Sequence, residues 1–258
     1  SMRHGLHGPS FVVASACASS NHAIAQAVQL IRAGVMDVAL AGGSEASLSY
    51  GAMRAWEAMR VLADDTCRPF SANRKGLVLG EGAAMFVLES LEHAQRRGAT
   101  VLGEIAGVGM SSDAGDIVAP DMAGAASAMR TALADAGMEP AQVDYVNAHG
   151  TATLANDINE VRAIAQVFGA HARQVAVSST KSMHGHALGA SGALELVAVL
   201  RAMAESRVPP TINMDSLDPQ CEGVDHVLGS ARAMPVTAAL SNSFAFGGLN
   251  AVLVLRSA

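Results

Sequence analysis

Cys17, His149 and His186 each follow an apolar run at a point where the chain turns towards a helical pattern. In open α/β sheets, ligands collect at the carboxyl ends of strands, which is where such turns lie. A thiolate is a strong nucleophile, and imidazole N–H groups can stabilise an oxyanion. One cysteine and two histidines on three such turns therefore suit acyl transfer.

Cys17 is predicted to lie where a helix begins. Residues 11–14 form an apolar run typical of a buried strand, and apolar side chains at helical spacing follow from Ala23 to Ile31. The free N–H groups and the dipole at a helix N-terminus stabilise a thiolate, so the pKa of Cys17 is expected to be lowered. The alternative is a buried cysteine that acts as a small apolar residue.

The other polar candidates also have simpler interpretations. His149 could be a turn residue that hydrogen-bonds to the backbone. The cysteine and histidines could in principle bind zinc, but the segment 184–186 lacks the usual pairs of zinc ligands, so we expect no metal. Glu160 and Lys181 are predicted to form a buried ion pair, the alternative being two surface charges. No phosphate-binding loop or dinucleotide fingerprint is present.

The composition narrows the class of protein. The chain has 258 residues, is 50% hydrophobic and carries a net charge of -6, which fits one large or two small domains and argues against a nucleic-acid binder. Cys17, Cys67 and Cys221 are odd in number and far apart. That spacing argues against a disulfide framework and fits a reducing cytoplasm. We expect neither a membrane span nor a signal peptide.

Apolar runs alternate with helical patterns along the chain, which is typical of an α/β fold whose sheet is mostly parallel or mixed. The predicted strands beyond Cys17 are 37–43, 83–88, 101–109, 143–146, 175–179, 236–243 and 250–256. The predicted helices after the first are 52–62, 90–97, 124–136, one capped by Asn156 or Asp157 and ending near Phe168, and 187–204. A weak similarity between Val12–Gly34 and Val175–Met203 suggests two related halves.

Four motifs resemble those of the β-ketoacyl-acyl-carrier-protein synthases, a family of condensing enzymes, and the resemblance spans essentially the whole chain. The motifs are the nucleophile segment 15–19, the first histidine segment 147–153, the lysine and second histidine segment 179–186, and the glycine-rich gating segment 242–250. Four motifs in the right order make the resemblance specific. It points to an elongating, type II ketosynthase-like member.

The resemblance implies a thiolase-type αβαβα fold built from two similar halves. Residues 1–98 would be the remainder of the N-terminal half, with the nucleophile, and residues 99–258 the C-terminal half, with both histidines. Family members are much longer, and their nucleophile lies well inside the first half. The resemblance therefore predicts that the N-terminal part of the fold is absent here, and that the chain is a fragment, one piece of a split chain or the ordered part of a longer one. It also implies a homodimer.

By resemblance, the reaction is a decarboxylative Claisen condensation that gives a β-ketoacyl-acyl carrier protein. Cys17 would hold the acyl chain as a thioester. His149 and His186 would promote decarboxylation of malonyl-acyl carrier protein and stabilise the enolate. Lys181, supported by Glu160, would hold the histidine network. No cofactor is implied, since the substrates are carried on the phosphopantetheine of acyl carrier protein.

The resemblance also assigns the loops around the pocket. The backbone N–H groups of Cys17 and Phe246 would form the oxyanion hole, and Phe246, Gly247 and Gly248 the gate. The sequence departs from the family pattern at Ala245, where glycine is common, and at Leu249, where threonine is common. These departures leave the motion of the gate and the range of chain lengths open.

Substrate contacts follow in the same way. Thr151 and Thr153 would contact the phosphopantetheine arm, and Arg60 would dock the acidic carrier protein, with Arg54 and 74–75 nearby. The alternative is that these cations are merely solvated.

Other members of the superfamily remain as alternatives. They are a polyketide synthase domain, a nodulation-type ketosynthase, a non-catalytic partner of the chain-length-factor kind, and a thiolase. Cys17 argues against the non-catalytic partner, which typically replaces the nucleophile. The gating segment stands where a thiolase carries its second cysteine motif.

Overall fold

The structure, a computed structural model, describes residues 1–258. Its helices are α1 (Ser19–Arg32), α2 (Tyr50–Ala58), α3 (Leu91–Arg96), α4 (Met122–Asp135), α5 (Leu154–Phe168), α6 (Lys181–His184) and α7 (Ser191–Glu205). Its strands are β1 (Val38–Glu45), β2 (Gly82–Glu89), β3 (Glu104–Ser112), β4 (Tyr145–Asn147), β5 (Ala176–Ser178), β6 (Arg207–Val208), β7 (Asp225–His226), β8 (Arg232–Ala233), β9 (Ala238–Ala245) and β10 (Leu249–Arg256). No helix is both long enough and apolar enough to cross a membrane.

The main sheet has six strands in the order β3-β10-β9-β4-β5-β7. Strand β10 is antiparallel to both β3 and β9, whereas β9, β4, β5 and β7 run parallel. Two antiparallel pairs, β1-β2 and β6-β8, lie outside it. The prediction of an α/β fold with a mixed sheet is confirmed.

Helices cover both faces of the main sheet. Alternate residues of β10 point to opposite faces. Val252 and Val254 belong to the core that contains α4 and α5, whereas Leu253 and Leu255 belong to the core that contains α1 and α7. Helices α1 and α7 also contact the β1-β2 pair. The layers are therefore helix, sheet, helix and sheet.

The face of β1-β2 that points away from α1 and α7 is exposed. Val38, Leu40, Met85 and Val87 are 43, 47, 60 and 55% exposed, and they alternate along the strands with less exposed residues. Both strands lie within residues 1–98 and the six-stranded sheet lies within 99–258. The interpretation of these ranges as two related halves stays a prediction.

The predicted strand over residues 11–14 is wrong. The segment pairs with no strand, and Phe11 and Val12 are 60 and 91% exposed. An apolar run becomes a strand only where a neighbour takes up its backbone hydrogen bonds, and no strand of residues 1–258 lies beside this one. The turn at Cys17 forms nonetheless.

Helix α5 begins before both predicted capping residues. Thr153 is its N-cap residue. The side chain of Asp157 serves another purpose, because it accepts hydrogen bonds from the backbone N–H groups of Phe70 (2.8 Å) and Ala152 (3.2 Å). Asp157 therefore anchors two loops rather than a helix end.

The turns before α1 and α7 are alike in backbone conformation. Each is a 3₁₀ turn, Ala16–Ala18 and Leu188–Ala190, that leads directly into the helix. The first residue of each has a positive φ, 49° at Ala16 and 43° at Leu188. The predicted helix from residue 187 is thus divided into this turn and α7.

Candidate active site

Cys17, His149, His186 and Phe246 line one cavity of about 250 Å³. Cys17 lies in the turn before α1, His149 follows β4, His186 lies between α6 and α7, and Phe246 follows β9. The structure thus brings together side chains that are far apart in sequence. The three turns that carry Cys17, His149 and His186 therefore meet at one cavity.

The expected lowering of the Cys17 pKa is wrong. Burial raises the pKa of Cys17 to about 11, although the ammonium of Lys181 and hydrogen bonds from the backbone N–H groups of Phe246 and Cys17 lower it in part. Burial also raises the pKa of Cys67 and of Cys221, each to about 12. Cys17 is 5% exposed, and α1 begins two residues later, so desolvation outweighs the helix end. The resting group at neutral pH is the thiol.

The two histidines meet edge to face. Their ring centroids are 5.3 Å apart and the rings are inclined at 85°. Burial, followed by the positive charge of Lys181, holds the pKa of both His149 and His186 well below the usual value. Both imidazoles are therefore neutral at neutral pH.

Hydrogen bonds fix which ring nitrogen carries the proton. The backbone N–H of Leu188 donates to Nδ1 of His186 (3.2 Å), and the ammonium of Lys181 lies 3.3 Å from Nδ1 of His149. An N–H or ammonium only donates here, so both Nδ1 atoms accept and both protons lie on Nε2. The site therefore offers two neutral N–H donors of the kind that stabilise an oxyanion.

The predicted ion pair between Glu160 and Lys181 is wrong. The Lys181 ammonium is hydrogen-bonded to the carboxylate of Glu195 on α7, and neither side chain is exposed to solvent. Burial raises the pKa of Glu195 to about 7 despite this partner. One feature of the sequence could have pointed to Glu195. It is a lone acid on the apolar face of a predicted helix, at helical spacing from Ser191 and Val199.

Glu160 supports His149 through the backbone. Its carboxylate accepts hydrogen bonds from the N–H groups of His149 and Gly150, both at 2.7 Å, and from the side-chain amide of Asn242 at 3.1 Å. It is buried, and burial raises its pKa. Glu160 thus holds the loop after β4 and ties it to β9.

The turn after β9 needs its glycines. Gly247 and Gly248 have φ values of 85° and 71°, a region that other residues rarely adopt. The N–H of Gly247 donates to the carbonyl of Ile117 (2.8 Å), and the ring of Phe246 lies 6.2 Å from that of Trp56. Ile117, in the segment between β3 and α4, also lines the cavity, although no motif in the sequence points to it.

The two departures from the family pattern lie beside the nucleophile. Ala245 and Leu249 pack in a small apolar cluster with Cys17 and Ala18. That these two residues alter the motion of the gate stays a prediction.

The threonines lie on the wall of the cavity, and Arg60, which is exposed, lies at its mouth. Thr151 and Thr153 line the cavity, with their hydroxyl oxygens 2.9 Å apart. Arg60 also lines it, is exposed and has no ion-pair partner. Arg54, by contrast, is paired with Glu57 at 2.5 Å.

The segment 74–75 is only partly available for docking. Arg74 is buried and paired with Asp218 (2.6 Å) and Asp157 (3.6 Å), whereas Lys75 is exposed and paired with Asp64 at 3.0 Å.

No three His, Cys, Asp or Glu side chains are grouped so as to hold a metal ion.

Two family models match the chain. The model of the beta-ketoacyl synthase N-terminal domain matches residues 1–94, and that of the beta-ketoacyl synthase C-terminal domain matches residues 102–215. Together they cover well over half of the chain.

Curated relatives match over nearly the whole chain. Nodulation protein E of Rhizobium leguminosarum bv. trifolii is 58% identical over 252 residues, 98% of this chain and 62% of the relative. The 3-oxoacyl-[acyl-carrier-protein] synthase 2 of Synechocystis sp. is 46% identical over 260 residues, 98% of this chain and 62% of the relative. The chain therefore spans less than two thirds of the length of these relatives.

Solved structures also match over nearly the whole chain. One is the complex of AntDE with AntF, described as a type II PKS acyl-carrier protein in complex with its ketosynthase bound to the hexaketide. Its TM-score to this chain is 0.96 and its sequence identity is 35%. The match covers 100% of this chain and 65% of the ketosynthase structure's chain. The ishigamide ketosynthase/chain length factor has a TM-score of 0.92 and 40% identity, and it covers 96% and 61%. The predicted thiolase-type fold is thereby confirmed.

Proposed function

Because the chain belongs to the β-ketoacyl synthase family, we propose that it carries the condensing site of fatty acid or polyketide chain elongation. The observation that carries this proposal is one cavity lined by a buried thiol and two buried, neutral imidazoles. A site with one nucleophile and two N–H donors suits two thioester substrates that react in turn.

The first step is acyl transfer to Cys17. The sulfur attacks the thioester carbonyl of an acyl carrier protein, a new C–S bond forms, and the carrier thiol leaves with the proton of Cys17. The N–H groups of Cys17 and Phe246, which hydrogen-bond to the sulfur, are placed to receive the oxyanion of the tetrahedral intermediate.

The second step is decarboxylation of a malonyl thioester. The C–C bond to the carboxylate breaks, CO₂ leaves, and the electron pair forms an enolate whose oxygen accepts from Nε2–H of His149 and His186. The enolate carbon attacks the thioester on Cys17, so a C–C bond forms and the C–S bond breaks. The products are a β-ketoacyl thioester and the Cys17 thiolate, which takes up a proton.

Lys181 helps to keep the imidazoles neutral. Burial is the larger cause of the lowered pKa of both histidines, and the ammonium adds to it by raising the free energy of a second positive charge nearby, so neither histidine is protonated at neutral pH. A charged imidazole would lack the free Nδ1 lone pair that accepts from Lys181 or Leu188. Lys181 is thus a positioning residue in this proposal.

A nodulation-type ketosynthase is the second candidate. The identity of 58% to a nodulation protein E, against 46% to a 3-oxoacyl-[acyl-carrier-protein] synthase 2, favours it. Both candidates share the same condensation chemistry at the same residues. They differ in the acyl chain that Cys17 accepts.

The partners belong to the proposal as well. We propose an acyl carrier protein as substrate carrier, which is supported by the carrier-protein complex among the similar structures. We also propose a homodimer, on the family resemblance, and a cytoplasmic location, which is supported by three free cysteines.

Acylation of the intact protein tests the proposed function. After incubation with acyl carrier protein loaded with C8 to C18 chains, intact-mass spectrometry should show one added acyl group, and peptide mapping should place it on Cys17. The chain that labels fastest would separate the two candidates. Labelling that survives the Cys17→Ala substitution, or no labelling with any chain, would reject the proposal.

Arg60→Glu should weaken the use of acyl carrier protein. Arg60 is an exposed, unpaired cation at the mouth, and acyl carrier proteins are acidic, so the substitution should raise the apparent KM for the carrier by roughly tenfold. A small pantetheine thioester should react at the wild-type rate, and the dependence on salt should weaken.

Arg54→Glu is the matched control, since Arg54 is exposed but already paired with Glu57. It should change the KM much less. Equal losses with carrier and small thioester would show that Arg60 supports the pocket and not docking.

A further inference from the structure

The turn that carries Cys17 is strained. Ala16 has a φ of 49°, in the left-handed region that a residue with a side chain rarely adopts. Cys17 and Ala18 complete the 3₁₀ turn that leads into α1. A conformation of this kind persists only where surrounding contacts fix it.

Ser19 holds one side of the turn. Its hydroxyl donates to the carbonyl of Ala16 (2.7 Å) and accepts from the backbone N–H of Ser15 (2.9 Å). These bonds bind the two residues before Cys17 to the first residue of α1. Neither hydrogen bond involves Ala18, the residue after Cys17.

His22, one turn into α1, holds the other side. Its Nδ1 lies 2.8 Å from the hydroxyl of Ser15 and 3.1 Å from the carbonyl oxygen of Ala18. The carbonyl of Ala18 only accepts, so the proton of the ring lies on Nδ1. This one N–H donates to both oxygens in a bifurcated hydrogen bond. Ser15 and Ala18 lie on opposite sides of Cys17 along the chain, and His22 joins them.

We propose that His22 is a positioning residue that, through Nδ1, fixes the strained turn and so places the Cys17 sulfur against the backbone N–H groups of Cys17 and Phe246. The ring is half-buried and neutral, because burial lowers its pKa. Its function is the bridge from Ser15 to Ala18 and not its charge. The role deepens the proposed function, since it concerns the nucleophile of that reaction.

The test is alkylation of Cys17 by iodoacetamide, followed peptide by peptide. In the wild-type protein Cys17, which lines the cavity, should react ahead of Cys67 and Cys221, which do not. His22→Gln places its amide nitrogen near the position of Nε2, and His22→Asn places it near Nδ1. The Gln variant should slow alkylation of Cys17 by roughly tenfold, because the sulfur loses its aligned N–H donors, whereas the Asn variant should stay near the wild-type rate.

Ser15→Ala removes the same bridge from its other end. It should slow the alkylation of Cys17 as much as His22→Gln does. The double variant Ser15→Ala with His22→Gln should be little slower than either single variant, since both substitutions remove the same contact. Gln29→Ala, on the exposed side of α1, is the control for a change in the same helix. Equal rates for the Asn and Gln variants, or an unchanged or faster rate for the Gln variant with an unchanged melting temperature, would overturn the proposal.

Alkylation requires no acyl substrate, so the two proposals can fail separately. A protein that is not acylated by any carrier thioester but shows the Asn and Gln difference would reject the proposed function and keep the role of His22. A protein that is acylated on Cys17 but shows no such difference would do the reverse.

Discussion

Replacing Cys17 with alanine is expected to lower condensation by roughly 10⁴-fold or more, while malonyl-acyl carrier protein still loses CO₂. Without the sulfur no acyl thioester forms, so the enolate has no acceptor. The two imidazole donors remain in place, since they are held by Lys181, Leu188 and their own loops and not by Cys17. CO₂ release and β-ketoacyl product would be measured in the same reaction.

His186→Ala should impair decarboxylation and largely spare acylation of Cys17, the reverse of Cys17→Ala. His186→Ala removes one of the two N–H donors, and decarboxylation should fall by about 10²- to 10³-fold, the usual effect of losing one oxyanion donor. Acylation of Cys17 should be affected far less. Cys221→Ala, a thiol in the core outside the cavity, is the control. Wild-type decarboxylation in His186→Ala would show that the assigned mechanism is wrong.

Replacing Lys181 with methionine should destabilise the fold by about 3–5 kcal/mol at pH 8. The substitution leaves the Glu195 carboxylate buried without its partner, and it removes the contact to Nδ1 of His149. Urea unfolding monitored by circular dichroism would measure the loss. The magnitude depends on pH, because Glu195 can escape the penalty by taking up a proton.

The sign of that dependence follows from the raised pKa of Glu195. A carboxyl whose pKa is raised on folding keeps its proton in the folded state, so stability falls as pH rises from the unfolded value near 4.5 to the folded value. In the wild-type protein this fall ends near pH 7, where Glu195 titrates. In Lys181→Met the pKa is higher still, so stability should keep falling between pH 7 and 8, by roughly 1 kcal/mol.

A double substitution separates the charge from the packing. Lys181→Met with Glu195→Leu replaces the ion pair by apolar side chains and should recover most of the stability, because no unpaired charge remains. It should not recover decarboxylation, since His149 still lacks its donor. If Lys181→Met alone were as stable as the wild type at pH 8, the assignment of Lys181 and Glu195 as a buried ion pair would be wrong.

The sequence predicts those parts of this site that depend on local pattern. The turn at Cys17, the loop after β4 and the hairpin β9-β10 each join an apolar run to glycine or small residues, and each forms where the pattern indicates. The partner of Lys181 is different. Which buried acid it meets depends on how α7 packs beside α6, and Glu160 and Glu195 cannot be ranked without that packing.

Two other errors have the same origin. The dipole of α1 can be predicted from its helical pattern, but the depth at which Cys17 is buried cannot, and burial is the larger effect on its pKa. The run at 11–14 has the composition of a strand, but it has no neighbour within residues 1–258 to pair with. Both outcomes depend on contacts between distant parts of the chain.

The strand order has a consequence for synthesis on the ribosome. Strands β9 and β10 lie between β3 and β4 in the six-stranded sheet, yet they follow every other strand in the sequence. While the chain is being made, β3 and β4 are complete before the two strands that must lie between them exist. Until then the edges of β3 and β4 are open, and open strand edges favour aggregation. Cys17 emerges before both histidines and Phe246 emerges after them, so the nucleophile acquires its complete surroundings only once this late hairpin has inserted.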